Sequence, residues 1–227
     1  MIFCVQIPAG LISLLFTKKI IIALIKYSGK GHSLKVKIIS KKRLYEGFLN
    51  LDSIELKHIK HDGSWSEAML RLNLKRGEAA AALVYLKDTD SFILVNQFRY
   101  ACYENGESGW IDEIVAGVFD KNDTAETCAK RECIEETGYV IENLKFVNKI
   151  YVSPGITNEL ITIFIGIGNS NDKKYSGGGV SHEHEDIRIV EYSKKKAYEL
   201  LKSGYFKDGK TIIALQYFQL YENELTH

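Results

Sequence analysis

Three glutamates near the middle of the chain, Glu132, Glu135 and Glu136, are spaced at i, i+3 and i+4. In a helix of 3.6 residues per turn, this spacing puts the three carboxylates on one face. Burying several like charges costs free energy unless a counter-charge is present, and a divalent metal ion supplies one. The spacing therefore predicts a metal site, although composition alone favours an ordinary solvated acidic face. The same face carries small apolar residues, Ala125, Cys128 and Ala129.

The helix that carries these glutamates is predicted to run over residues 123–137. Gly138 follows at the position of a helix C-cap, where a left-handed conformation favours glycine. At the other end, Asp123 and Glu126 have the spacing of an N-cap and its capping-box partner. Arg131 precedes Glu135 by four residues, so it can pair with that carboxylate and leave the others available to a metal.

The stretch from Gly117 to Tyr139 resembles the signature of the Nudix hydrolase family, G-x5-E-x7-R-E-U-x-E-E-x-G-U, in which U is a bulky apolar residue. Three positions depart from it: Asp123 replaces the first glutamate, and Cys133 and Tyr139 occupy apolar positions. The residues at the required spacings are Gly117, Arg131, Glu132, Glu135, Glu136 and Gly138. We call the segment 117–139 the box.

The resemblance implies a metal cofactor, Mg²⁺, with Mn²⁺ as an alternative. Glu185 is predicted as the loop ligand or general base because it directly precedes Asp186 and Ile187, and Glu183 is the alternative. His182 and His184 lack the further ligands of a zinc site. The implied metal ligands are Ala116 through its carbonyl, Glu132, Glu136 and Glu185, and the predicted catalytic residues are Glu185, Glu135 and Arg131.

The resemblance covers about residues 40–222 and is nearest to the branch that contains pyrophosphatases of ADP-ribose and of GDP-mannose. Two segments resemble those of the GDP-mannose pyrophosphatases. They are the run Gly177–Val180 with the acidic residues that follow it, and Gly204–Thr211. The standard spacing of the box also allows ADP-ribose. The substrate-binding residues that the resemblance implies are Arg99, Arg71, Glu113, Gly117, Glu159 and Lys210.

The predicted function is Mg²⁺-dependent hydrolysis of the pyrophosphate bond of a nucleoside diphosphate sugar. GDP-mannose is favoured, and it would give a nucleoside monophosphate and a sugar 1-phosphate. ADP-ribose, which would give AMP and ribose 5-phosphate, is the alternative substrate. A catalytically inactive Nudix-fold nucleotide-binding regulator is the alternative of another class, but such a module is expected to lose box carboxylates. The resemblance also implies a homodimer.

An α+β architecture is expected to position these residues. It is a Nudix fold, an α/β/α sandwich with a mixed, bent sheet and helices on its faces, preceded by an N-terminal antiparallel β subdomain. The expected division is an extension at 1–33, the β subdomain at 34–76 and the Nudix domain at 77–227. Short apolar runs bounded by turns predict strands at 35–40, 51–60, 67–75, 79–86, 92–100, 110–116, 144–152, 159–168 and 186–192, with closing helices at 194–202 and 211–222.

Charge and composition exclude some classes of protein. The 227 residues are 45% hydrophobic and 26% charged, so the chain can bury a core. Residues 1–43 carry nine of the Lys and Arg residues and no Asp or Glu, and the whole chain sums to +1, so residues 44–227 carry −8. An acidic domain argues against a general nucleic-acid binder and suits an enzyme that uses a divalent cation. The four cysteines form no CxxC pair, which favours reduced thiols in the cytoplasm.

The segment 1–33 is apolar and basic. Residues 1–17 carry no charge and are followed by two lysines, which is the wrong order for a secretory signal and short for a membrane span. A membrane anchor, a targeting segment and translated upstream sequence all remain open for it. We expect no membrane partner and a cytoplasmic location.

Overall fold

The computed structural model describes residues 35–180 and 186–226. The extension at 1–33 and the loop carboxylates Glu183 and Glu185 lie outside the described residues. In chain order the strands are β1 (Val36–Glu46), β2 (Asn50–His58), β3 (Met69–Lys75), β4 (Glu78–Leu86), β5 (Ser91–Phe98), β6 (Trp110–Glu113), β7 (Val115–Val118), β8 (Asn143–Tyr151), β9 (Leu160–Gly168) and β10 (Arg188–Ser193). The helices are α1 (Tyr100–Glu104), α2 (Ala125–Glu132), α3 (Lys194–Lys202) and α4 (Gly209–Thr226), with a π-helical turn at Cys133–Thr137 and a 3-10 turn at Ser170–Asp172.

Seven strands form a mixed sheet in the order β10-β5-β4-β9-β8, with β6 paired to β5 and β7 paired to β4. The central pair, β4 and β9, is parallel, and the pairs around it are antiparallel. The first three strands form an antiparallel sheet in the order β1-β2-β3. The predicted mixed sheet and N-terminal β region are therefore confirmed.

Helices cover both faces of the mixed sheet, which confirms the α/β/α arrangement. Successive side chains of a strand point to opposite faces. On β4, Leu83 and Tyr85 pack in a core with residues of α3 and α4, whereas Ala82 and Val84 pack in a second core with Cys128 of α2. Because both faces are buried, β4 is a continuous apolar run without polar alternation.

The described residues fall into two compact units. The smaller comprises 35–40 and 55–69, and the larger comprises 41–54, 70–180 and 186–226. In the smaller unit Ile59 bridges Trp65, and the N–H of Gly63 donates to the Lys60 carbonyl at 3.0 Å. These contacts close the turn that the sequence predicts around residues 61–64. The boundary predicted between residues 76 and 77 stays a prediction.

The N-terminus of the box helix differs from the prediction. Helix α2 begins at Ala125, its N-cap is Thr124, and Thr127 completes the capping box. The prediction of Asp123 and Glu126 in these roles was wrong. The Asp123 carboxylate instead accepts the N–H of Asp120 at 2.9 Å, which places it in the loop before the cap.

Other element boundaries differ from the prediction where a specific hydrogen bond changes the backbone. The run predicted at 110–116 splits into β6 and β7 at Ile114, whose N–H donates to the buried Thr211 hydroxyl at 2.8 Å. Helix α4 starts two residues earlier than predicted, and the Asp208 carboxylate accepts the N–H of Thr211 at 2.9 Å in its first turn. The short helix α1 was not predicted. No helix in the described part of the chain is long and apolar enough to cross a membrane.

Candidate active site

Two box glutamates lie against the backbone of β7. Glu136 is 4% exposed, and its Oε2 accepts the N–H of Ala116 at 3.3 Å. The Glu132 carboxylate lies directly over Gly117, where a Cβ would overlap its atoms. Gly117 is therefore required for the close approach of Glu132, and the structure brings together the predicted set of Ala116, Gly117, Glu132 and Glu136.

The π-helical turn separates the last two box glutamates from regular α-helical geometry. Glu132 is the last residue of α2, and Glu135 and Glu136 lie in the turn that follows. The turn ends at Gly138, whose φ of 79° confirms the predicted left-handed C-cap. π-turns occur frequently at functional sites, where they change the direction of side chains relative to the preceding helix.

Arg131 forms hydrogen bonds with three acidic side chains of the box. Its Nη1 donates to Glu132 Oε1 at 2.7 Å and to Glu135 Oε2 at 2.9 Å, so the predicted i,i+4 pair is present. Its Nη2 donates to the Val118 carbonyl at 3.1 Å and to Asp123 Oδ2 at 3.3 Å. Burial opposes the charge on Arg131, but the surrounding carboxylates, Glu132 first, raise its pKa.

Asp123, one of the three residues that depart from the signature, still contacts this arginine. The backbone N–H of Asp120 is the largest cause that lowers the pKa of Asp123, and Arg131 and Thr127 lower it further. A carboxylate one methylene shorter than glutamate therefore keeps the contact with Arg131, which explains how the box tolerates the substitution.

The donor set of the box fits a hard divalent cation. Glu132 and Glu136 offer carboxylate oxygens and Ala116 offers a main-chain carbonyl, the kinds of ligand that Mg²⁺ and Mn²⁺ accept. The burial of Glu136 beside a second carboxylate is an arrangement that a cation stabilises. Among the described residues, no three His, Cys, Asp or Glu side chains stand in a metal-holding group, so the set consists of two carboxylates and a carbonyl.

A second charged cluster is centred on Glu113 of β6. Arg99, which follows β5, donates from Nε to Glu113 Oε1 at 3.0 Å and from Nη2 to Oε2 at 2.8 Å. Lys210 in the first turn of α4 donates to Glu113 Oε2 at 3.0 Å and to Asp208 Oδ1 at 2.9 Å. Three of the predicted substrate-binding residues therefore meet, and two cations share one buried carboxylate.

The charges in this cluster stabilise one another. Burial opposes ionisation of Glu113, yet its pKa is lowered because Arg99 and Lys210 outweigh the burial. Burial likewise opposes the charge on Lys210, and the Glu113 and Asp208 carboxylates raise its pKa. Burial also opposes the charge on Arg99, but its pKa is raised by Glu113 first.

The cluster and the box are electrostatically linked. The charge of Glu136 contributes to the raised pKa of Arg99, although less than the charge of Glu113 does. Arg99 is 43% exposed on its side chain, whereas Lys210 is 11% exposed. Arg99 is therefore the more accessible cation of the two.

Arg71 and Glu159 do not join either group through a described contact. Arg71 lies exposed on β3, and its Nη1 donates to the carbonyl of its neighbour Leu70 at 2.9 Å. Glu159 lies just before β9 and accepts from Arg76 Nε at 3.3 Å. The predicted loop carboxylate Glu185 lies outside the described residues.

Sequence reasoning missed two carboxylates near the cluster. Asp208 binds Lys210 and caps α4, and its position three residues before Thr211 is the signal that could have identified it. Asp112 is buried on β6 and accepts from Asn96 at 2.6 Å, Tyr192 at 2.7 Å and Tyr205 at 3.0 Å. These partners lie 16 to 93 residues away in sequence, so no local pattern reveals them.

The described cysteines are free thiols, as expected. Cys128 and Cys133 pack in the core beneath the box. Burial raises the pKa of Cys128 to about 12 and that of Cys133 also upward, so neither is ionised near neutral pH. These thiols act as packing groups beneath the carboxylates.

Comparison with known proteins identifies the family. Residues 75–212 match the family described as the NUDIX domain. Because this match spans more than half of the sequence, the chain belongs to the Nudix hydrolase family, as the box predicted. Nudix hydrolases are enzymes that generally use divalent metals.

Relatives with named activities match most of the chain. An ADP-ribose pyrophosphatase of Escherichia coli (strain K12) is 34% identical over 192 residues, which cover 84% of this chain and 90% of the relative. A GDP-mannose pyrophosphatase of Shigella flexneri is 36% identical over 187 residues, which cover 82% and 96%. A crystal structure of an ADP compounds hydrolase has a TM-score of 0.66 at 17% identity, covers 85% of this chain and 96% of that one, and supports the fold.

The buried charges around Glu113 predict a pH dependence of stability. The folded-state pKa of Glu113 lies below its ordinary value of 4.5, so its stabilisation is present above that pH and is lost as the pH falls through the folded-state pKa. We expect Glu113→Gln to lower the free energy of unfolding at pH 7 by about 3 kcal/mol, because it removes one charge from a buried pair. The variant should also lose less stability than wild type as the pH falls below 4.5. Urea unfolding at a series of pH values measures both effects.

Glu199→Gln, an exposed change on α3, is the matched control and should leave the pH dependence unchanged. Parallel stability curves for wild type and Glu113→Gln would contradict the prediction.

Proposed function

We propose that this enzyme hydrolyses the pyrophosphate bond of a nucleoside diphosphate sugar and depends on Mg²⁺, which Mn²⁺ can replace. The convergence of Glu132, Glu136 and the Ala116–Gly117 backbone is the observation that carries this proposal. The neighbouring Arg99 and Lys210 supply cationic groups for a diphosphate, whose charge the box carboxylates alone would repel.

The proposed metal ligands are the Glu132 and Glu136 carboxylates, the Ala116 carbonyl and Glu185. A metal held there would supply positive charge to offset the charge that develops on the pyrophosphate oxygens, and it would make water a stronger nucleophile. In the described contacts, Arg131 holds Glu132 and Glu135 at 2.7 and 2.9 Å. Its proposed role in catalysis is to orient these two carboxylates, since a guanidinium can satisfy two acceptors at once.

The attacking nucleophile is water, and a carboxylate must accept its proton. We assign this role to Glu185, which is also proposed as the loop ligand, and we propose Glu135 as a further catalytic carboxylate. The water oxygen forms a new bond to phosphorus as the bridging P–O bond breaks. The bridging oxygen leaves with one phosphoryl group, so the products are two monophosphates.

The diphosphate is proposed to bind between the box and the cluster at Glu113. Arg99 uses two of its five N–H groups on Glu113, and guanidinium groups bind phosphate oxygens through such donors. Lys210 adds a second positive charge. The backbone at Gly117 is proposed to contact the same part of the substrate, and Arg71 and Glu159 are proposed to contact its outer groups.

GDP-mannose is the substrate that we favour. The segments Gly177–Val180 and Gly204–Thr211 resemble those of the GDP-mannose branch, and the GDP-mannose pyrophosphatase of Shigella flexneri is 36% identical. ADP-ribose is the second candidate, which the 34% identity to an ADP-ribose pyrophosphatase supports. An inactive regulator is disfavoured because Glu132, Glu135 and Glu136 are all present.

We further propose a homodimer that acts in the cytoplasm without nucleic-acid or membrane partners. The proposed domains are the β subdomain at 34–76 and the Nudix domain at 77–227. The start of the family match at residue 75 supports this boundary.

The first functional prediction concerns Glu136. Glu136→Gln should keep the fold and bind substrate but turn it over at least about 10³-fold more slowly, because metal charge stabilisation supplies several kcal/mol of the barrier reduction. Steady-state kinetics with GDP-mannose at saturating Mg²⁺ measures this. Glu142→Gln, which changes an exposed partner of Lys130, is the control and should match wild type. Activity of Glu136→Gln within tenfold of wild type would contradict the metal assignment.

The second prediction separates the two loop carboxylates. Glu185→Gln should lower kcat much more than it raises KM, as expected for a group that acts mainly in the transition state. Glu183→Gln should have a comparatively mild effect. Measuring kcat and KM for both variants tests this, and the reverse pattern would make Glu183 the functional carboxylate.

The third prediction concerns substrate choice. In a competition of equimolar substrates, wild type should cleave GDP-mannose or another nucleoside diphosphate hexose ahead of ADP-ribose. Lys210→Ala should lower kcat/KM for the preferred hexose substrate by roughly 10- to 100-fold, the loss of one charge-assisted contact, and should affect ADP-ribose less. Lys196→Ala, an exposed change on α3, is the control. Dominant cleavage of ADP-ribose by wild type would overturn the choice of substrate but not the family.

A further inference from the structure

The segment 173–179 folds over the end of the box. The N–H of Gly178 donates to the Glu136 carbonyl at 2.8 Å, and the N–H of Gly179 donates to the Glu135 carbonyl at 3.0 Å. The Gly138 carbonyl accepts from Lys174 and Tyr175 at 2.9 and 3.1 Å. Four backbone donors of one segment are therefore directed at the carbonyls of three residues near the end of the box, Glu135, Glu136 and Gly138.

These contacts give hydrogen-bond donors to carbonyls at the end of the helix. The last carbonyls of a helix have no N–H four residues ahead to bind, and they need water, a side chain or another backbone segment. Here the partner is a backbone segment about 40 residues away in sequence, and it contacts Glu135 and Glu136, two of the residues whose side chains are proposed to act in catalysis or metal binding.

Glycine is necessary at the closest point of this contact. A Cβ on Gly177 would lie 2.5 Å from the Thr137 carbonyl carbon and 2.8 Å from both the Glu136 oxygen and the Gly138 nitrogen. A Cβ on Gly138 would in turn overlap the Tyr175 carbonyl. The three consecutive glycines 177–179 all have positive φ, at 68°, 97° and 83°. The two backbones approach so closely that neither has room for a side chain.

Glu136 is held by this glycine segment and also by β7. Its carbonyl is held by Gly178 at 2.8 Å, and its carboxylate accepts the N–H of Ala116 on β7 at 3.3 Å. The residue is therefore fixed from two sides by two different backbone segments. Moving the glycine segment outward would remove the hydrogen bond from Gly178 and leave Glu136 held only on the side of β7 among these two contacts.

We propose that Gly177 and Gly178 are positioning residues for the metal site, and that they act through the backbone of Glu136. This inference rests on the proposed function, in which Glu136 is a metal ligand. Partners that orient a metal ligand typically change metal affinity by 10- to 100-fold when they are lost. A purely structural role of the glycines would change stability and leave metal affinity unaltered.

The test is a titration of the full chain with Mn²⁺ in the absence of substrate. Electron paramagnetic resonance monitors the free Mn²⁺ and gives the dissociation constant. Gly177→Ala places a methyl group between the segment and the π-turn. Gly204→Ala is the matched control, because Gly204 has a similar φ of 74° but no atoms within 4 Å of its added Cβ. The control thus carries the same backbone strain without the steric wedge. Thermal unfolding of each variant is measured in parallel, and Glu136→Gln marks the loss of one ligand.

We expect Gly177→Ala to raise the Mn²⁺ dissociation constant by about 10-fold or more. Gly204→Ala should stay within about twofold of the wild-type dissociation constant and lose less thermal stability than Gly177→Ala, because it carries the backbone strain without a steric clash. Equal dissociation constants for Gly177→Ala and wild type, or equal increases in both alanine variants, would overturn the inference.

Two further results are decisive. If Gly177→Ala does not fold, Gly178→Ala decides in its place, because its Cβ would make only an ordinary van der Waals contact, 3.7 Å from the Ile187 carbonyl oxygen, while its φ of 97° would strain the donor to Glu136. A weaker Mn²⁺ affinity than in Gly204→Ala then supports the inference, and an equal affinity overturns it. A wild-type chain that binds no Mn²⁺ overturns the proposed function itself, a result distinct from failure of the inference alone.

Discussion

The close approach of the box helix to β7 is the constraint on which the site depends. The Glu132 carboxylate occupies the space that a side chain at residue 117 would fill, and the Glu136 carboxylate accepts the N–H of Ala116. Two carboxylates held against β7, of which Glu132 also accepts from Arg131, are preorganised and need little rearrangement to bind a cation. The apolar packing of Cys128 and Cys133 beneath them keeps the helix at this distance from the sheet.

The cluster at Glu113 depends on opposite charges that offset the cost of one another's burial. A buried carboxylate without partners would be costly, and so would a buried lysine. Glu113 and Lys210 offset each other's burial, and Arg99 joins them from the end of β5. The cations that a diphosphate requires are thereby kept charged and in place beside an acidic box. The charge of Glu136 also raises the pKa of Arg99, so the box and the cluster interact electrostatically.

Much of the fold followed from local pattern. Most strands and helices were predicted within a few residues from apolar runs, helical spacing and turn signals, which are short-range properties, although β1 runs to Glu46 and not to residue 40. Errors arose where the local sequence was compatible with two structures. Asp123 and Thr124 are both good N-cap residues, and the contact of Asp123 with Arg131 decided between them. The split of the run at Ile114 required Thr211, which is 97 residues away.

The spacing of the glutamates, Arg131 and the box glycines identified the family from the sequence alone. It also identified the acidic face, because residues three or four positions apart in a helix lie on the same side. Only the tertiary structure decided which partners these residues meet. It joined Arg99 and Lys210 through Glu113, left Arg71 and Glu159 with other partners, and laid the glycine segment across the end of the box. Such contacts depend on how strands and helices pack over separations of 14 to 97 residues, and the order of residues along the chain carries no direct record of that packing.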